Sequence, residues 1–83
     1  MVEVGQLYYF EDYNYFFLVL AITDDYREWH HRVHGYFHAR DGDTFRVTTM
    51  RWDRTSGQTF LDEGWTLSMV ESPIEKGTWK LIE

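Results

Sequence analysis

The sequence predicts an all-β fold, and three observations support that prediction. Aromatic residues make up 19% of the 83 residues, and aromatic and β-branched side chains favour strands. Apolar or alternating segments of strand length recur along the chain. Short runs rich in Asp, Asn, Ser and Gly separate them, as expected of turns. The chain length corresponds to one domain, residues 1–83.

Two strands are predicted in the first part of the chain. Residues Val2 to Phe10 form the first candidate strand, and the turn-forming residues Glu11 to Asn14 follow it. Residues Tyr15 to Thr23 are continuously apolar and β-prone, and turn residues bound the run on both sides. We therefore expect this segment to be the most buried strand of the fold.

The segment from Trp29 to Arg54 is predicted to form a β-hairpin with one apolar face and one basic, aromatic face. Residues 31–40 alternate, so that Val33 and Phe37 share one side. Residues 44–54 alternate in the same way, and a three-residue loop at Arg40 to Gly42 would set Phe37 opposite Phe45 in the core. Seven polar, aromatic or thioether side chains would then share the outer face: Arg32, His34, Tyr36, His38, Arg46, Met50 and Trp52.

A helix at about residues 25–40 is the alternative for this segment, and it would make the fold α+β. Residues Asp25 to Glu28 resemble a capping box, and Trp29 and Val33 fall at helical spacing. The interior consists mostly of weak helix formers, with Gly35 in the middle, and this composition favours the strand.

The last part of the chain is predicted to contain more strand and one short helical turn. Two strand segments, 58–61 and 65–71, follow the turn at Ser56 and Gly57. Residues Ser72 to Gly77 predict a single helical turn, because their Ser-Pro start suits a helix N-terminus. Residues 78–83 form the final predicted strand.

This order of several strands, one helical turn and a last short strand resembles the SH3-like small barrels, which include Tudor and KOW-type domains. The resemblance also rests on Gly5 before the LYYF segment and on the turn at Ser72 to Gly77. It implies a barrel of five to six strands that binds peptides, nucleic acids or protein surfaces. The chain has neither a KOW signature nor an identifiable Tudor-type aromatic cage.

The predicted hairpin face indicates binding of one of two kinds. Arg, Tyr, Trp and Met are enriched at protein interfaces, so a protein partner is the first interpretation. Arginine beside aromatic rings also suits a nucleotide or another small phosphorylated ligand. Arg32, Tyr36, Arg46 and Trp52 would carry that second interpretation.

The four histidines raise a third interpretation, a metal-dependent enzyme. On a strand, His34 and His38 would lie about 13 Å apart, too far to share one ion. On a helix, His30 and His34 would lie one turn apart and could bind zinc together. The preferred strand therefore predicts no metal and no cofactor, and no nucleophile elbow or glycine-rich phosphate loop indicates an enzyme.

The charge distribution narrows the class of partner. The net charge of −6 argues against broad nucleic-acid binding, which depends on neutralising phosphates. The sequence has no cysteine and no apolar run long enough for a membrane span. We expect a cytoplasmic, non-enzymatic module that binds another protein, with a homodimer left open.

In size and charge the chain is similar to small phage-encoded inhibitors of host proteins, including anti-CRISPR proteins. This similarity implies inhibition of a host nucleic-acid enzyme.

Overall fold

The computed structural model describes residues 1–35 and 44–83, and in these ranges the protein is mostly β with two helices. The elements are β1 (Leu7–Phe10), a 3-10 turn (Glu11–Tyr13), β2 (Tyr15–Thr23), α1 (Tyr26–His34), β3 (Arg46–Asp53), β4 (Thr59–Thr66), α2 (Leu67–Glu75) and β5 (Trp79–Leu81). The strands form one antiparallel sheet in the order β4-β3-β2-β1-β5. Within the described residues, no helix has the length and apolarity needed to cross a membrane.

Strand β2 has the predicted bounds, but it is not buried on both faces. Phe17 and Val19 are only 2% and 1% exposed, whereas Leu18 and Leu20 are 36% and 39% exposed. The continuous apolar run therefore follows the ordinary two-sided alternation of a strand. The predicted turn before β2 is confirmed, and Asn14 closes it in the left-handed conformation with φ 56°.

Strand β3 lies inside the sheet, and the predicted hairpin is wrong for residues 31–34, which are helical. Its neighbours are β2 and β4. The alternation predicted for β3 is confirmed, since Val47 and Thr49 are buried and Trp52 is exposed. Phe45, which the hairpin would have placed in the core, is 43% exposed.

The segment after β2 is a helix, so the preferred strand is wrong for residues 31–34. The helix ends where Gly35 takes φ 75° and its N–H donates to the carbonyl of His31 at 2.7 Å. A glycine inside a helix disfavours it, but Gly35 lies just past the end, where a left-handed residue is favoured. Residues 36–43, including the predicted loop at 40–42, lie outside the described residues.

Helix α2 replaces the strand predicted for residues 67–71 and absorbs much of the predicted short turn. Its cap is Thr66, whose hydroxyl accepts from the Met69 N–H at 3.3 Å. Pro73 lies in the last turn and not in the first. The helix ends with the N–H groups of Gly77 and Thr78 donating to the carbonyls of residues 74 and 73, which is a Schellman arrangement.

The core lies between α2 and one side of the sheet, which we call the core face. Val70 of α2 is fully buried there against strand residues from β1, β2 and β3. The Phe17 and Trp79 rings stack with centroids 4.0 Å apart. The opposite side of the sheet, which carries the alternate strand positions, is the outer face.

Candidate functional site: the outer face of the sheet

The outer face carries two rows of apolar side chains that run across the strands. Cross-strand partners project to the same side of a sheet. One row joins residues of four strands, namely Leu7, Leu18, Met50 and Leu61. The next row joins Tyr9, Phe16 and Trp52. The site is therefore assembled from β1 to β4, and no single segment of sequence contains it.

The second row is a continuous aromatic stack. The Tyr9 and Phe16 rings have centroids 4.9 Å apart, and the Phe16 and Trp52 rings stack at 5.4 Å with an interplanar angle of 20°. The guanidinium of Arg54 lies 5.7 Å from the Phe16 ring centroid, within the range of a cation–π contact. The stack holds Trp52 in place while leaving 44% of it exposed.

The first row is also accessible. Leu61 is 52% exposed and Leu18 is 36% exposed with both helices in place. α2 packs on the core face, and α1 approaches the outer face at one end, where the Trp29 ring lies against Gly64. Adjacent apolar side chains with this exposure form a patch of the kind found at interaction sites.

Arg46 shares the outer face but is engaged within the fold. Its guanidinium donates to both carboxylate oxygens of Asp25, at 2.9 and 3.0 Å, and to the carbonyl of Glu63 at 3.0 Å. It also lies 5.5 Å from the ring centroid of Trp29. The hydrogen bond from Arg46, with a second from Thr23, lowers the pKa of Asp25. Arg46 therefore fastens α1 to the sheet.

The residues predicted to share one face are divided in the structure. Arg46, Met50 and Trp52 lie together on β3. Arg32 and His34 lie on α1 and are exposed, and the remaining two, Tyr36 and His38, lie outside the described residues.

The helical form of residues 26–34 brings two histidines together. The His30 and His34 rings have centroids 4.6 Å apart, as expected for residues one turn apart. Within the described ranges, however, the structure contains no group of three or more potential metal ligands. Two imidazoles alone fall short of the three protein ligands of a typical catalytic zinc site, so this pair carries no metal assignment here.

Sequence reasoning missed the contributions of β1 and β2 to the site. Tyr9, Phe16 and Leu18 belong to apolar runs, in which period-two alternation has no polar residues to mark it. Comparisons with protein-family models, with curated proteins and with solved structures find no match to this chain.

Proposed function

We propose that this protein is a non-enzymatic binding module that docks the outer face of its sheet onto an apolar surface of another protein. The observation that carries the proposal is the exposed apolar row with its aromatic stack. Trp52 and Leu61, at 44% and 52% exposure, are held on a rigid sheet and lose little conformational freedom on binding. Aromatic anchors in such positions contribute most to protein–protein affinity.

Charge favours a basic partner over a second copy of this chain. The net charge of −6 makes two copies repel, whereas a basic protein is attracted and oriented. Exposed acids include Asp24 just before α1, Glu28 on α1 and Glu63 on β4. A cytoplasmic nucleic-acid enzyme with a basic groove is the partner class that fits this charge. In this proposal the module acts as an inhibitor of that enzyme.

The order of the elements supports the SH3-like resemblance as part of the same proposal. Four strands precede α2, and a last short strand returns to pair with β1. The resemblance to small binding barrels rests on this order, and the helix α1 between β2 and β3 is an addition to it. That likeness concerns the scaffold only, because a fold does not determine what its surface binds.

Affinity measurements with matched variants test the proposal. The partner is captured from extract, purified, and titrated by calorimetry against wild type, Trp52→Ala and Leu61→Ser. The control is Leu81→Ser, because Leu81 is 56% exposed but lies on β5, away from the two rows. We expect each outer-face change to weaken binding at least about tenfold, equivalent to about 1.4 kcal/mol. The control should bind like wild type, and far-UV circular dichroism should be unchanged in all variants.

Two outcomes would contradict the proposal. Equal affinity of wild type and both outer-face variants would remove the outer face from the interface. Sedimentation showing that wild type dimerises and Trp52→Ala does not would assign the face to a second copy of the chain. Weakening of the complex by added salt is expected, since exposed charges are screened.

A further inference from the structure

The core face carries a cavity that α2 leaves uncovered. α2 has nine residues and is therefore about 14 Å long, shorter than the sheet it covers. Val47 and Thr49 of β3 are fully buried, whereas the side chain of Arg51, farther along the same face, is 27% exposed. The cavity beyond the covered part measures about 380 Å³, within the range of small-molecule sites.

Aromatic rings form the walls of this cavity. Trp65 and Trp79 meet edge to face at 90°, and the Phe17 ring stacks on Trp79. Tyr15 continues the wall towards Tyr13, and these two rings stack with centroids 5.6 Å apart. Tyr13 is 63% exposed and lies at the rim. Phe17 and Trp79 are only 2% and 5% exposed and form the floor of the cavity. The more exposed rings of Tyr13, Tyr15 and Trp65 offer flat apolar surfaces to a planar ring.

An ion pair supplies the polar groups of the cavity. Arg51 Nε lies 3.3 Å from Asp62 Oδ2, and both side chains also line the cavity. These two atoms are buried, and neither has a hydrogen-bond partner among the described residues. The side chains as a whole are 27% exposed for Arg51 and 26% exposed for Asp62. Since Nε and Oδ2 are buried, the exposed area belongs to the remaining atoms of each side chain. Arg51 has two further N–H-bearing nitrogens and Asp62 has one further carboxylate oxygen, so the pair can supply a donor group beside an acceptor group.

We propose that this cavity binds a planar, uncharged nitrogen heterocycle that has a hydrogen-bond donor and an acceptor on one edge, the chemistry of a nucleobase. The ring would stack among the aromatic walls, its donor would face Asp62, and its acceptor would face Arg51. The paired charges of Arg51 and Asp62 cancel, so the site favours neither a phosphate nor an organic cation. It lies on the opposite side of the sheet from the outer face and does not depend on the protein-binding proposal.

Free nucleosides test the assignment, because they carry the base without phosphate. Guanosine, adenosine, cytidine and uridine are titrated against the whole chain, with tryptophan fluorescence and thermal shift as readouts. Trp65 and Trp79 line the cavity, and a ligand raises apparent stability by mass action. The key variant is the double change Arg51→Met with Asp62→Leu. Replacing an ion pair with apolar residues of similar volume usually leaves a fold stable.

We expect saturable nucleoside binding to wild type and binding at least about tenfold weaker to the double variant. Leu61→Ser, on the outer face, is the control and should bind nucleosides like wild type. Tyr13→Ala removes an exposed rim ring and provides a second weakened variant with an intact fold. Absence of saturable binding at millimolar nucleoside, or equal binding by wild type and the double variant, would overturn the assignment.

Discussion

Asp25 joins three parts of the molecule through one carboxylate. It precedes α1, accepts two hydrogen bonds from Arg46 of β3, and accepts a third from the Thr23 hydroxyl at 2.7 Å. The Arg46 hydrogen bonds, and then the Thr23 bond, lower the pKa of Asp25, and the Asp25 partner raises the pKa of Arg46. Both directions favour the charged pair, which is bidentate and so stronger than a single contact.

Replacing Asp25 with asparagine should lower the free energy of unfolding at neutral pH. The side chain of Asp25 is 36% exposed, so solvent screening limits the loss to about 0.5–1 kcal/mol. The folded pKa is lowered, so the stabilisation is complete above the unfolded value near 3.9 and is lost as pH falls through the folded value. Urea unfolding of wild type and Asp25→Asn at pH 7 and across the acid range measures this difference.

The exposed neighbour Asp24 provides the control for this measurement. Asp24→Asn changes the same net charge at the same end of α1 without removing the contact to Arg46. It should alter stability less than Asp25→Asn at pH 7. A gap between wild type and Asp25→Asn that persists at the lowest pH would show that the asparagine acts by steric change and not by loss of charge.

At the scale of elements, α1 is held by tertiary contacts. It has nine residues and none of them is buried, and isolated helices of this length are marginal in water. The Trp29 ring attaches it to β4, where Gly64 has no side chain to keep the ring away. A Cβ added at Gly64 would lie 2.6 Å from Trp29 Cη2. The close approach of ring and strand therefore requires glycine at this position.

Gly64→Ala should displace Trp29 and loosen α1. We expect a loss of about 1–2 kcal/mol in the free energy of unfolding, typical of overpacking. The loss should disappear in a Trp29→Ala background, where alanine at position 64 meets no ring and lowers the entropy of the unfolded chain. A double-mutant cycle by urea unfolding measures the coupling. An equal cost of Gly64→Ala in both backgrounds would place its origin in the backbone of β4.

Most strands could be predicted from the sequence because their signals are local. The prediction failed where tertiary contacts decide whether a segment is a helix or a strand. The turns at Glu11 to Asn14 and at Ser56 and Gly57 combine local turn chemistry with adjoining apolar runs. Residues 26–34 fit both periods, and the contacts that select the helix come from β3 and β4. For α2, Leu67, Val70 and Ile74 have helical spacing, but proline favours the first turn of a helix, and Pro73 therefore predicts a helix start where the structure has the last turn.

At the scale of the whole molecule, the two faces of the sheet differ in how much of each is covered. α2 and the aromatic core cover most of the core face, and the outer face keeps an exposed apolar surface. The alternation of β3 in the sequence predicted that Arg46, Met50 and Trp52 share a side, and the structure places them so. The neighbours of these three residues could not be predicted, because strand order decides them and β3 pairs with β2 and β4.

Substitutions on the two faces should therefore differ in their cost. Val70→Ala, at a fully buried position, should lower the free energy of unfolding by about 1.5–3 kcal/mol, because it leaves a cavity against the core face. Leu61→Ser, at 52% exposure, should change it by no more than about 0.5–1 kcal/mol. Urea unfolding of both variants measures the contrast. A cost for Leu61→Ser as large as that for Val70→Ala would mean that the outer face is part of the folding core and is not free to bind a partner.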